Sequence, residues 1–337
     1  MKEQDTISID FIAGMSRAGT TLLLSILNTE DSTLCVPEIP ISVYSYSSFK
    51  NKTNFSIKDA KIWLNLRLKM PSIRNIQVNE NLLKKSIGGV KNYREFLILA
   101  YASIEFPTKN GNYSRIIDKD HIHTFQTELI SKIFPDSKYI LLLRHPMAYV
   151  NSSMEKPDDT TKLQSVNFYS YVWNEYAKKI IQLVKNDVQN RFLVVKYEDL
   201  VGQPESTLKE ICSHLKITYS TQMLEFNNSK FNNLIVNEKL NSAQLERKRS
   251  KYNSLSQEIN NVRIKSWENK LTKKEQNLIA SITHDLALQL KYSIPESSDF
   301  KAQRDLFTRN KVKLYFKFSK YFYLLPIKLR EVYKVKI

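Results

Sequence analysis

Cysteine is scarce in this chain. Two residues, Cys35 and Cys212, among 337 are too few for a disulfide framework, so a reducing compartment is expected, with a single bridge left open. Long apolar runs are missing too: no stretch approaches the ~20 residues that span a bilayer. The opening MKEQDTISID is polar with acidic residues, unlike a signal or transit peptide, and the expectation is a cytoplasmic protein. Negative charge is in short supply, with 34 Asp and Glu against 51 Lys and Arg and a net charge of +17. That balance suits an anionic partner, whether nucleic acid, a membrane surface or an acidic glycan. The excess is uneven, since 301–337 holds eleven Lys and Arg against Asp305 and Glu331. What remains is ordinary: 42% hydrophobic residues, in a length that fits one sizeable α/β domain with appendages or two small domains.

One further absence carries chemistry. Residues 9–24 read IDFIAGMSRAGTTLLL: an apolar run of strand type, a loop from Gly14 to Gly19, then apolar residues at helical spacing. The loop has the Gly-x-x-x-x-Gly frame in which backbone N–H groups and a helix N-terminus converge on an anion. Thr20-Thr21 stands where a nucleotide triphosphatase carries Lys-Ser or Lys-Thr. Without the lysine that reaches a phosphate being cleaved, the site is read as holding a phosphate ester without transferring it, and no metal is expected. A plain turn is the bland alternative.

A second anion site is read at 139–146, YILLLRHP. Tyr139 to Leu143 is a continuous apolar run, as in a strand buried on both faces, and Pro146 suits the first turn of a helix. Arg144 at the strand tip and Ser152 on the helix then converge on a phosphate, which a guanidinium fork binds well.

Ser16-Arg17-Ala18-Gly19-Thr20-Thr21-Leu22 resembles the 5′-phosphosulfate loop of sulfotransferases, usually Arg-Ser-Gly-Thr-Thr in carbohydrate and tyrosylprotein members. Ala18 replaces the serine and removes one hydroxyl. These enzymes take 3′-phosphoadenosine 5′-phosphosulfate (PAPS) as donor. The family's 3′-phosphate site is an arginine with a serine eight residues later, and Arg144 and Ser152 keep that spacing, with His145 in place of the usual aspartate. The resemblance implies that Lys119 stabilises the departing phosphate. It also implies that Glu38, after the first helix, or His121, in a Lys-x-His arrangement, is the base. Lys156 matches a basic position in tyrosylprotein sulfotransferases, and an exposed helix lysine is its bland reading. Tyr197, in Tyr-Glu-Asp-Leu, is a nucleotide contact or a packing residue. Arg247-Lys248-Arg249, before Trp267, is a loose match to a basic loop over the 3′-phosphate.

The expected fold is a three-layer α/β P-loop-type architecture. Its central parallel sheet, flanked by helices, has strands at 7–13, 115–118, 139–143 and 192–196; Cys35 to Pro40 reads as a proline-bracketed loop. Thr272-x-x-Glu275 is a capping box for a late helix. Residues 1–300 are expected to be the sulfotransferase domain and 301–337 a basic amphipathic tail. In the tail, Leu314, Phe318, Phe322 and Leu325 recur at four-and-three spacing, for peripheral membrane contact or for docking on the domain. The resulting expectation is sulfuryl transfer from PAPS to a hydroxyl on a glycan or glycolipid, with tyrosylprotein sulfation as the alternative. A P-loop nucleotide kinase and a non-catalytic binder of an anionic partner are rivals of other classes; nucleic acid is not the expected partner.

Overall fold

Strand β1 (Ser8–Gly14) buries six of its seven residues. Coverage on both faces is the reason its sequence runs Phe-Ile-Ala without polar alternation. In the computed structural model it is the middle strand of a five-stranded parallel sheet completed by β2 (Thr33–Pro37), β3 (Arg115–Lys119), β4 (Tyr139–Leu143) and β5 (Phe192–Lys196). The order is β2-β3-β1-β4-β5, with flanking helices. The structure describes residues 7–38, 41–68, 77–105, 113–155, 164–228, 259–295, 305–326 and 329–330. The helices that matter below are α1 (Thr20–Leu27), α2 (Tyr93–Ala102), α3 (His123–Ile133), α4 (Pro146–Glu155), α5 (Val166–Lys185), α6 (Pro204–Leu215), α7 (Lys273–Gln289) and α8 (Leu306–Phe322).

The strand β2 corrects the loop reading over Cys35 to Pro37, while 39–40 lie outside the described residues. It pairs in parallel with β3, from Thr33 opposite Arg115 to Pro37 opposite Lys119. A proline is compatible with it because β2 is an edge strand, where one side of the backbone ladder needs no donor.

The chain forms two compact units. The first comprises Met1–Phe11, Thr21–Ser137 and Thr218–Glu258. Its core is aromatic: Phe96 lies 4.8 Å from Phe49, 5.0 Å from Phe55 in a parallel stack, and edge-on to Trp63 at 6.3 Å. Truncating any of these rings to alanine would cost about 3–5 kcal/mol in transfer and cavity terms. Asp10, buried within β1, is paired with Arg115.

The second unit comprises Ile12–Thr20, Lys138–Ile217 and Ile259–Ile337. Here β4 pairs with β5, and the long α5 is the spine. Trp173 on α5 is fully buried and donates its indole N–H to Arg144 O at 2.9 Å, while Asn174 donates to Ile282 O on α7 at 2.8 Å. The α7 N-terminus carries the capping box in full, Thr272 and Glu275 bonding one another's backbone N–H groups. Helix α8 docks on α5 through buried Val312 and Phe316. Of the expected tail stripe, Leu314 and Phe318 are exposed, whereas Phe322 and Leu325 are half-buried.

Candidate active site

The glycine-rich loop owes its shape to close backbone approach in the second unit. Met15 donates its N–H to Leu142 O at 2.8 Å, pinning the exit of β1 to β4. At Gly14, with φ +101°, a Cβ would sit 2.2 Å from that carbonyl oxygen. At Gly19, with φ +84°, a Cβ would meet the Tyr197 ring at 2.7 Å. Arg17 between them also takes positive φ, +62°. A turn of this kind leading into the N-terminus of α1 is an anion concavity. Within it, Ser16 is hydrogen-bonded to Tyr149, and Ala18 is fully buried, so the family's serine is replaced at a position closed to solvent.

Arg144, at the tip of β4, turns its guanidinium toward this loop. One terminal nitrogen donates to Arg17 O at 3.0 Å and the other to Arg263 O at 2.9 Å, and the plane lies 4.4 Å from the Tyr197 ring centroid. The group is buried, and Arg144 Nε and Arg17 Nε are buried without a hydrogen-bond partner. Burial draws the Arg144 pKa down; Tyr197 and Glu198 oppose this, and the charges of Arg17 and Arg263 add to it. The charges of Arg17 and Arg263 lie beside Arg144, and this concentration of guanidinium groups suits anionic ligands.

Arg263 had no signal of its own in the sequence. The basic run expected near Trp267, Arg247-Lys248-Arg249, lies outside the described residues, as does Lys156. Arg263, four residues before Trp267, is the cation brought beside Arg144. Trp267 stacks on His145, with centroids 5.4 Å apart and planes at 9°. The His145 backbone N–H donates to Glu198 at 2.9 Å, and burial holds its imidazole below the ordinary histidine pKa. Ser152 is half-buried on α4 and makes no hydrogen bond to Arg144.

A second cluster belongs to the first unit. Lys119, at the end of β3, is 4% exposed and donates to Glu38 Oε1 at 2.7 Å and Thr21 Oγ1 at 3.0 Å. Glu38 follows β2 with φ +47° and returns its own N–H to Lys119 O at 2.7 Å. Its side chain is 38% exposed, so a buried ammonium is paired with a carboxylate that solvent reaches. His121 is half-exposed, and its ring lies 3.3 Å from Asp120. The buried histidine is His123, which the sequence reading passed over. Its Nε2 is 3.2 Å from Asp118 Oδ2, an oxygen that also accepts from Tyr101 OH, and its ring is edge-on to Phe11 at 5.1 Å. Burial raises the Asp118 pKa, with His123 and Tyr101 holding it back; burial alone would lower His123, but the Asp118 carboxylate takes it above the ordinary value. Among the described residues no group of three or more His, Cys, Asp or Glu is placed to hold a metal ion.

A family model described as "Sulfotransferase family" matches residues 11–221. A putative protein-tyrosine sulfotransferase of Caenorhabditis briggsae is 23% identical over 217 residues, covering 64% of this chain and 67% of that protein. Protein-tyrosine sulfotransferase A of Caenorhabditis elegans is 24% identical over 220 residues, covering 64% of this chain and 51% of its own length; the match thus spans about half of that relative. Among solved structures, the sulfotransferase domain of the Synechococcus PCC 7002 olefin synthase superposes with a TM-score of 0.56 at 19% identity, over 88% of this chain and 99% of that one. The sulfotransferase domain from the curacin biosynthetic pathway gives 0.54 at 17% identity, over 86% and 99%. At these identities the superpositions bear on the fold.

Proposed function

The chain belongs to the sulfotransferase family, and on that footing we propose that it moves the sulfuryl group of PAPS to the phenolic hydroxyl of a tyrosine in a protein or peptide. The observation that carries the reaction is the Glu38–Lys119–Thr21 hydrogen-bonded chain, which puts a carboxylate and a buried ammonium at one point. The acceptor follows the relatives, which are named protein-tyrosine sulfotransferases. The glycan or glycolipid acceptor expected from the sequence finds no such support.

In this reading the loop amides of 16–21 and Arg17 hold the 5′-phosphate, and Arg144, flanked by Arg263 and Tyr197, takes the 3′-phosphate. The buried Nε groups of Arg144 and Arg17 can donate to those groups. Glu38 accepts the phenolic proton, the oxygen attacks sulfur in line, and the bond from sulfur to the phosphate oxygen breaks. Lys119 neutralises charge on that departing oxygen, a form of electrostatic stabilisation worth several kcal/mol where water is excluded. Glu38 is favoured over His121 as base because it is tied to Lys119, whereas the His121 ring lies against Asp120.

The test is incubation of the full chain with ³⁵S-labelled PAPS and two acceptor panels, tyrosine peptides flanked by acidic residues and oligosaccharides. Label is expected on tyrosine, in EDTA as well as without it. Label confined to oligosaccharides would replace the acceptor assignment. Turnover of ATP with Mg²⁺ and none of PAPS would remove the reaction.

A further inference from the structure

Helix α8 has two apolar faces and uses one. Val312 and Phe316 are buried, with Phe316 edge-on to Tyr176 of α5 at 5.5 Å. With about 100° between successive residues of a helix, the opposite side carries Phe307, Leu314, Phe318 and Tyr321. All four are exposed, Phe307 by 80% and Leu314 by 65%. Lys313 and Lys317, one turn apart, border this stripe on one side and Lys311 borders it on the other; all three are exposed.

We infer that the outward face of α8 lies on an anionic lipid surface, with its apolar stripe among the acyl chains at the interface and its lysines at headgroup level. A docked helix that served only the fold would show water a polar outer face. A contiguous aromatic and aliphatic stripe on an exposed helix marks an interaction surface instead. Charge chooses the occupant. A second copy of the chain would bring like charges together, three lysines on each face in a protein of net charge +17. A nucleic acid would engage the lysines and leave the stripe in water. Lysines bordering an apolar stripe match an interface of acyl chains and phosphates. No helix among the described residues is long and apolar enough to cross a membrane, so the contact is in the plane of the surface. The placement stands apart from the proposed transfer reaction and is tested without it.

The experiment is sedimentation of the full chain with vesicles of phosphatidylcholine alone, and of phosphatidylcholine mixed with phosphatidylserine, at low and high salt. Binding is expected on the mixed vesicles, falling with salt. Each lysine near such a surface contributes roughly fivefold in affinity, so K311Q, K313Q and K317Q together should weaken binding on the order of a hundredfold. F307S, L314S and F318S together should abolish it with only a small fall in the thermal midpoint, because those side chains are 80%, 65% and 44% exposed. Undiminished binding by the triple serine variant would overturn the proposal in favour of a purely electrostatic surface. Absence of vesicle binding, with a dimer that the serine variant dissociates, would overturn it in favour of a second copy.

Discussion

Glu38 is held to Lys119 at two points, its backbone N–H on the lysine carbonyl and its carboxylate on the ammonium, both at 2.7 Å. The main-chain bond extends the β2–β3 pairing one residue past Pro37, into a left-handed backbone conformation that glutamate rarely takes. A position strained by roughly 1–3 kcal/mol persists where surrounding contacts dictate it. Here the result is a solvent-reachable carboxylate aimed at a buried cation.

Replacing each partner should separate chemistry from stability. E38Q is expected to lower kcat by about 10²–10⁴, and H121N to leave it within a few fold. K119M should cost a similar factor while shifting stability by only about 1 kcal/mol, since Glu38 is open enough to be rehydrated. Steady-state kinetics with a tyrosine peptide and thermal melts of all three variants are the measurements. A loss in H121N equal to that in E38Q would move the base to His121.

Arg144 should show opposite signs in two assays. Burial and two neighbouring guanidinium groups make its charge costly in the ligand-free chain, so R144M should melt no lower than wild type. Adenosine 3′,5′-bisphosphate should bind it about 10–100-fold more weakly, as expected for losing charge-assisted hydrogen bonds of ~1.5–3 kcal/mol. R144K should recover little, because an ammonium lacks the two-pronged geometry. Calorimetric titration of the nucleotide decides; unchanged affinity in R144M would take the 3′-phosphate away from this residue.

The two loop glycines should differ in whether a second change rescues them. G14A drives a Cβ into the Leu142 backbone, which no side-chain substitution relieves, and is expected to leave little folded protein. G19A meets only the Tyr197 ring. The double variant G19A/Y197A should therefore regain the packing while keeping a backbone penalty of roughly 1 kcal/mol at positive φ. Urea melts of the single and double variants measure that coupling.

Stability should depend on pH through the buried Tyr101–Asp118–His123 group. Asp118 and His123 both bind protons more tightly folded than unfolded, their ordinary values being 3.8 and 6.5. Where the folded chain holds more protons, stability falls as pH rises. The decline should run upward from the ordinary carboxylate range through neutrality, until the folded pair has released its protons. D118N should flatten it in denaturant melts taken across that window. A wild-type slope retained in D118N would place the dependence elsewhere.

What the sequence determined here is local. Strand β1, the glycine frame, the uninterrupted run of β4 and the capping box at Thr272 follow from backbone sterics, side-chain period and short-range hydrogen bonds, all legible along a few residues. The missing lysine at position 20 was equally plain. Tertiary structure alone decided which distant residues meet. Arg263 reaches Arg144 across 119 positions and Glu38 reaches Lys119 across 81, and no periodicity encodes such pairings. Strand β2 was hidden because its proline looks like a loop until an edge position makes the absent N–H harmless. The tail's four-and-three spacing announced an amphipathic helix, but the face it spends on the protein and the face it leaves in water were fixed by packing against α5. Burial is a property of the partner as much as of the sequence.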